Sequence, residues 1–168
     1  RLAEIEGGRL AASLAPLRLD ELVGDLAETM EPVIADAGGT LACGPLDSAM
    51  VAADAGLITQ MLINLLQNIA THTPAGTTAR VSVKRIAGEA VLCVEDNGPG
   101  IAAEFLPLIF DKFRQAESGI TRRVGGLGLG LAIVQEIVRS HGGALALGSG
   151  LDGRGLSVRI ELPRDTTG

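Results

Sequence analysis

"VLCVEDNGPGIA", residues 91–102, opens as an apolar run, closes on Glu95, Asp96 and Asn97, and then breaks into Gly98-Pro99-Gly100. An apolar stretch bounded by a Gly/Pro cluster is the pattern of a buried strand entering a turn. A carboxylate at a buried strand end needs a partner, because an unpaired charge out of water is costly. Asp96 can cap its own turn, as Asp-Asn-Gly segments do, or accept a hydrogen bond from a group brought to it.

The elements on either side of this strand decide the fold. "TTARVSVKRI" (77–86) and "EAVLCVED" (89–96) form a hairpin pattern joined at Ala87-Gly88. Before them, Leu57, Ile58, Met61, Leu62, Leu65, Leu66 and Ile69 make one helical stripe that Asp54 can cap. The other face of that helix aligns Gln60, Asn64, Asn68 and Thr71. An earlier helix runs from Leu19 to Ile34, with Asp20 at its start, Pro32 placed where it can bend the helix, and Gly38-Gly39 after its end. "TLACG" and "AMVAA" are short strands between the two helices, and "GLGLAIVQEIVRSHGG" (128–143) is a third helix stopped by Gly142-Gly143. "ALALGS" and "GLSVRIELP" close the chain as a second hairpin, with Leu156, Val158, Ile160 and Leu162 facing inward. Residues 102–113 suit short helical turns, and "RQAESGITRRVGG" (114–126), without a useful period, suits a mobile loop. Residues 1–10 read as the end of an earlier helix, stopped by Gly7 and Gly8. This order predicts an α/β fold: a two-layer sandwich with a mixed, mostly antiparallel sheet packed on three helices.

The totals narrow the function. At 168 residues the chain suits one domain with a sizeable core. A net charge of -6 and the absence of Trp and Tyr argue against a nucleic-acid binder. No apolar run reaches membrane-spanning length and no signal-peptide pattern opens the chain, so a cytoplasmic setting without direct membrane contact is expected. Cys43 and Cys93 lack metal-ligand spacing and are expected to be buried free thiols.

Four segments together carry a resemblance: "NLLQNIATHTP" (64–74), "DNGPGI" (96–101), "IFDKF" (109–113) and "GGLGLGLAIV" (125–134). In order and spacing they resemble the N box, first glycine box, F box and second glycine box of the catalytic ATP-binding domain of bacterial sensor histidine kinases. The resemblance covers the chain from about Leu17 and implies the Bergerat-type ATP-binding fold. It implies that residues 17–168 are the catalytic domain and residues 1–16 the end of a preceding dimerisation helix and linker. The expected cofactors are ATP and Mg2+.

The resemblance also implies roles. Asp96 would accept the adenine amine, with Gly98, Gly100 and Ile101 letting backbone approach the flat ring. Asn68 would hold Mg2+, a cation that keeps several waters and takes phosphate oxygens. His72 follows within the same box. Gly126, Leu127, Gly128, Leu129 and Gly130 would present backbone N–H groups to phosphates at a helix start. Phe110 and the F box would anchor the lid, in which Arg114, Arg122 and Arg123 either supply phosphate charge or are solvated surface residues. Asn64 stands where the wider superfamily, shared with DNA gyrase and mismatch-repair proteins, has a water-activating glutamate. An amide cannot take that proton, which favours phosphoryl transfer over hydrolysis. Thr71 stands where the family usually has a cation, which keeps open a degenerate regulatory module as an alternative to an active kinase. The expected partners are a dimerisation and phosphoacceptor domain and a response regulator, with the isolated domain a monomer.

Overall fold

The computed structural model describes residues 4–6, 9–99 and 127–164. Its centre is a five-stranded sheet of β4 (Thr40–Leu46), β6 (Thr78–Ile86), β7 (Glu89–Asp96), β8 (Ala144–Gly148) and β9 (Ser157–Pro163), in the order β4-β6-β7-β9-β8. The β4 and β6 strands are parallel and the other three pairings antiparallel, so the sheet is mixed and mostly antiparallel as expected. The β6–β7 turn is Ala87-Gly88, both residues at positive φ (52° and 83°), the backbone a tight two-residue hairpin requires.

Among the described residues three helices supply the second layer: α1 (Leu19–Asp36), α2 (Ala55–His72) and α3 (Leu127–Ser140). The predicted α2 stripe is buried along its whole length. Burial of such side chains stabilises by roughly 1.5–3 kcal/mol each before entropy is charged against it. It packs into one core with Val23, Met30 and Ile34 of α1, Leu131, Val134 and Ile137 of α3, and the inward row Val81, Val83, Leu92, Val94, Val158 and Ile160 of the sheet. The α1 helix runs through Pro32 without ending. Both α1 and α3 stop at a Gly-Gly pair in the same manner: Gly39 N–H bonds Ile34 C=O and Gly143 N–H bonds Val138 C=O, with Gly38 and Gly142 at positive φ.

Outside the main sheet, β3 (Ala15–Arg18) pairs antiparallel with β5 (Met50–Ala53), and β1 (Glu4–Glu6) with β2 (Arg9–Ala11). The expectation of a helix over residues 1–10 is therefore wrong for 4–6 and 9–10. Glu4-Ile5-Glu6 alternates as a strand does, and two glycines between short segments are a hairpin signal as much as a helix stop. The expectation for the cysteines also fails in part: both are free, but Cys43 is exposed and Cys93 only half-buried. The segments 102–113 and 114–126, with the helical turns and mobile loop expected there, lie outside the described residues. Among the described residues no helix is long and apolar enough to cross a membrane.

Candidate nucleotide-binding site

Asp96 ends the central strand, opposite Ala79 of β6. One residue past the last β7–β9 pair, its N–H donates to Leu156 C=O at 3.0 Å, and Asn97 N–H donates to Thr78 C=O at 3.1 Å. The Asn97 side chain returns the contact by accepting Thr78 N–H at 2.8 Å, so Asn97 stitches β7 to β6. The Asp96 side chain, 5% exposed, lines a cavity at this end of the sheet.

The cavity is an open cleft between the C-terminal half of α2, the end of β7 and the start of β9. Leu65, Ile69, Val94, Leu156 and Val158 make its walls, while Asn68, His72, Thr73 and Asp96 bring the polar atoms. A mostly apolar cleft with a few placed polar groups is the build of a small-molecule site.

Of the two roles considered for Asp96, the turn cap is present. Its Oδ1 accepts Gly98 N–H at 2.8 Å, which is the turn-capping role. Gly155 also crowds Oδ1, since a Cβ there would lie 2.5 Å from it. Burial pushes the Asp96 carboxyl above the ordinary aspartate value, opposed by the Gly98 and Leu156 amides. A desolvated carboxylate held on a rigid strand end is a strong acceptor for a donor brought into the cavity.

Asn68 lies across the cavity from Asp96 on α2, and its Nδ2 is buried with no hydrogen-bond partner. Buried amides are nearly always paired, so an unpartnered one facing a cleft has hydrogen-bonding capacity to offer a water, an ion or a ligand. The amide oxygen and nitrogen can exchange places by a flip, so this side chain can turn either atom to the ligand. Turned so that its oxygen faces the cleft, the Asn68 amide fits a hydrated Mg2+ that takes its other ligands from phosphates. When bound, Mg2+ would neutralise phosphate charge beside Asn68.

The other predicted residues divide. His72 is exposed at the end of α2 and lines the same cavity. Asn64, one turn before Asn68, lines a separate shallow depression with Gly56, Thr59, Gln60 and Ile63. Gly98 packs on Thr73, where a Cβ would lie 3.0 Å from Cγ2. Leu127, Gly128, Leu129 and Gly130 form the first turn of α3, so these glycines sit inside the helix start rather than ahead of it. Gly100, Ile101, Phe110, Arg114, Arg122, Arg123 and Gly126 lie outside the described residues.

Three contributors escaped the sequence reading. Thr73 lines the cavity and donates its hydroxyl to Ile69 C=O, closing the end of α2. Gly150 and Gly155 press on Asp96 so closely that a Cβ on either would overlap its carbonyl oxygen. Their clue was the glycine density of "GSGLDGRG" (148–155), which reads in sequence only as a turn.

Residues 53–166 match the family model described as "Histidine kinase-, DNA gyrase B-, and HSP90-like ATPase". The chain belongs to this ATPase family. Its relatives are sensor histidine kinases. Sensor protein kinase PmrB of Pseudomonas aeruginosa is 36% identical over 97% of this chain and 34% of its own length. Sensor histidine kinase CusS of Escherichia coli K12 is 35% identical over 96% of the chain and 33% of its own length. The chain thus spans about a third of the length of these two curated relatives. Among solved structures, full-length ShkA in complex with AMPPNP superposes with a TM-score of 0.72 at 33% identity, covering 92% of this chain and 32% of that one. The mycobacterial sensor histidine kinase MprB gives 0.71 at 28% identity, covering 90% of this chain and 98% of that one. The chain is a histidine-kinase-type ATP-binding catalytic domain, with the α/β architecture expected of it.

Proposed function

We propose that ATP lies with its adenine against Asp96 and its phosphates toward Asn68 and the start of α3, and that its γ-phosphoryl group passes to a histidine on a dimerisation domain outside this chain. The observation that carries this reading is the pairing of a desolvated carboxylate and an unpartnered amide across one apolar cleft. The chain's own part in transfer is positional: Asp96 fixes the base, the cleft walls exclude water, and backbone N–H groups at the start of α3 attract phosphate oxygens. Asn64 has no proton-accepting group for water, which supports transfer over hydrolysis. The AMPPNP found with the ShkA relative supports an adenine nucleotide as ligand here.

Of the two histidines, His72 ends α2 at the nucleotide cavity itself and His141 is buried, so neither is set apart from the site as an acceptor. The acceptor is therefore assigned to another domain, and a response regulator to the step after it. Residues 1–16 are proposed as the approach from that domain and 17–168 as the catalytic unit, which acts as a monomer in isolation. The domain works on the cytoplasmic side.

Calorimetry with a non-hydrolysable ATP analogue, with and without Mg2+, tests the reading. Binding that Mg2+ strengthens is expected, and absence of binding at millimolar analogue would overturn it. A second reading, a regulatory module that has lost catalysis, is favoured by Thr71, exposed where a phosphate-touching cation would stand. Labelled phosphohistidine formed on a dimerisation domain supplied in trans would exclude it.

A further inference from the structure

His141 is 5% exposed at the C-terminal end of α3, and both its ring nitrogens are engaged. Nε2 lies 3.0 Å from the backbone N–H of Asp54, the residue that caps α2. That N–H can only donate, so Nε2 must accept. A neutral ring then carries its proton on Nδ1, which faces Ile137 C=O at 2.7 Å. The Asp54 carboxylate makes other contacts: Oδ1 accepts Leu57 N–H at 3.1 Å within the first turn of α2, and Oδ2 accepts Ser13 N–H at 3.0 Å from 41 residues earlier. One imidazole therefore ties the end of α3 to the start of α2 across 87 residues of sequence.

The two helices pack against each other and meet end to start, so they run antiparallel. Following each helix away from the tie for about 20 Å reaches the other end of the pair. On α2 that end carries Asn68 and His72, and on α3 it is the first turn with Gly128 and Gly130. Leu131, Val134 and Ile137 of α3 share one close-packed core with the α2 stripe, so a shift at the tied end is transmitted along the pair.

We propose that His141 is a positioning residue: its Nε2 bond to Asp54 N–H fixes the α3 start at the distance from Asn68 that a triphosphate bridges. This deepens the nucleotide reading above and rests on it. The adenine end, built on β7 and the α2 C-terminus, does not depend on the tie. Loss of the bond loosens the phosphate end of the site and leaves the base end intact.

Two substitutions separate the two ring nitrogens. In H141Q the side-chain oxygen reaches the place of Nε2 and can accept Asp54 N–H. In H141N the amide occupies the place of Nδ1, so Ile137 C=O keeps a donor and Asp54 N–H loses its acceptor. Titration of the parent and both variants with adenosine, ADP and a non-hydrolysable ATP analogue, each with Mg2+, reads the two ends separately. H141N is expected to bind the ATP analogue about tenfold more weakly, as one lost hydrogen bond allows, with adenosine within about twofold of the parent. H141Q is expected to restore the analogue's affinity. Amide exchange at Asp54 checks the tie itself, with the N–H protected in the parent and H141Q and exposed in H141N. Equal loss for adenosine and analogue in H141N, or loss of melting temperature with unchanged affinities, would make His141 a purely structural residue and overturn the proposal. No binding of any ligand by the parent would instead overturn the nucleotide reading.

Discussion

Gly155 lies directly against Asp96: with φ at +72° it turns the loop before β9 so that a Cβ there would meet both the carbonyl and Oδ1 of Asp96. The cavity's carboxylate is thus held from behind by a residue with no side chain. Gly153 offers the control, because it shares the positive φ (+74°) but faces open space. Gly153→Ala should cost about 1–2 kcal/mol through backbone strain alone. Gly155→Ala should cost more and also weaken ATP, since Asp96 must shift. Thermal melts and nucleotide titration of the two variants check this. Equal effects would show that the contact with Asp96 is immaterial.

Asp96→Asn keeps an oxygen to accept Gly98 N–H, so the turn should survive. On the proposed reading the variant loses a charge-assisted bond to the adenine amine, which should cost about 1.5–3 kcal/mol, or roughly one to two decades in affinity. Unliganded melting temperature should hold or rise, because a desolvated charge has been removed. GTP should bind the parent poorly, its carbonyl facing the carboxylate where adenine presents an amine. Unchanged ATP affinity in the variant would reduce Asp96 to a turn cap.

What was legible in the sequence had a local physical signature. The α2 stripe followed the helical period and Asp54 stood where a cap belongs, and the structure has both. Ala87-Gly88 marked its hairpin, and the carboxylate at the end of β7 pointed to the cavity that it now lines. What was hidden depends on distant partners. Nothing local to "RSHGG" says that His141 reaches Asp54, and nothing in "GRGLS" says that Gly155 presses on Asp96. The parallel β4–β6 pair likewise arises only after α2 has carried the chain back across the sheet. At the other end of the chain, "RLAEIEGGRL" was short enough to satisfy helix and hairpin patterns alike, and pairing between Glu4–Glu6 and Arg9–Ala11 decided for the hairpin.

Two aspartates should give opposite pH responses. The Arg18 guanidinium, bonded to Asp20 at 2.9 Å, holds that carboxyl below its ordinary value, with help from Ala49 N–H. Stability from Asp20 is therefore present above the ordinary aspartate value and lost as pH falls through the folded value. Asp96, raised by burial, gives the reverse: its contribution is present below the ordinary value and lost as pH rises through the folded one. In denaturant melts between about pH 3 and pH 6, Asp20→Asn should flatten the acid loss and Asp96→Asn should steepen it. Matching slopes in the two variants would contradict these assignments.

The thiols should differ in reactivity. Burial, then the neighbouring Glu95 carboxylate, pushes Cys93 up to about 11, and Cys93 is only half-exposed on β7. Cys43 is exposed on β4 and raised by partial burial alone. Because the thiolate is the attacking species, iodoacetamide at about pH 8 should modify Cys43 well before Cys93. Mass spectrometry of a time course checks the order, and labelling of Cys93 first would contradict it.

Asn68 tests whether the orphaned amide belongs to a ligand. A buried polar group without a partner costs stability in the free protein, about 1–3 kcal/mol when fully desolvated. Removing it as Asn68→Ala takes away no protein hydrogen bond, since Nδ2 makes none. Side-chain packing is also lost, so the unliganded melting temperature should stay near the parent's rather than rise by the whole amount. The nucleotide response should change far more. In the parent, Mg2+ should strengthen binding of an ATP analogue, because on the proposed reading Asn68 would help to hold the ion beside the phosphates. In Asn68→Ala that gain should shrink about tenfold, while adenosine, which carries no phosphate, should bind as before. Retention of the full Mg2+ effect would remove Asn68 from the metal's surroundings, and a large loss of unliganded stability would show the amide to be part of the core.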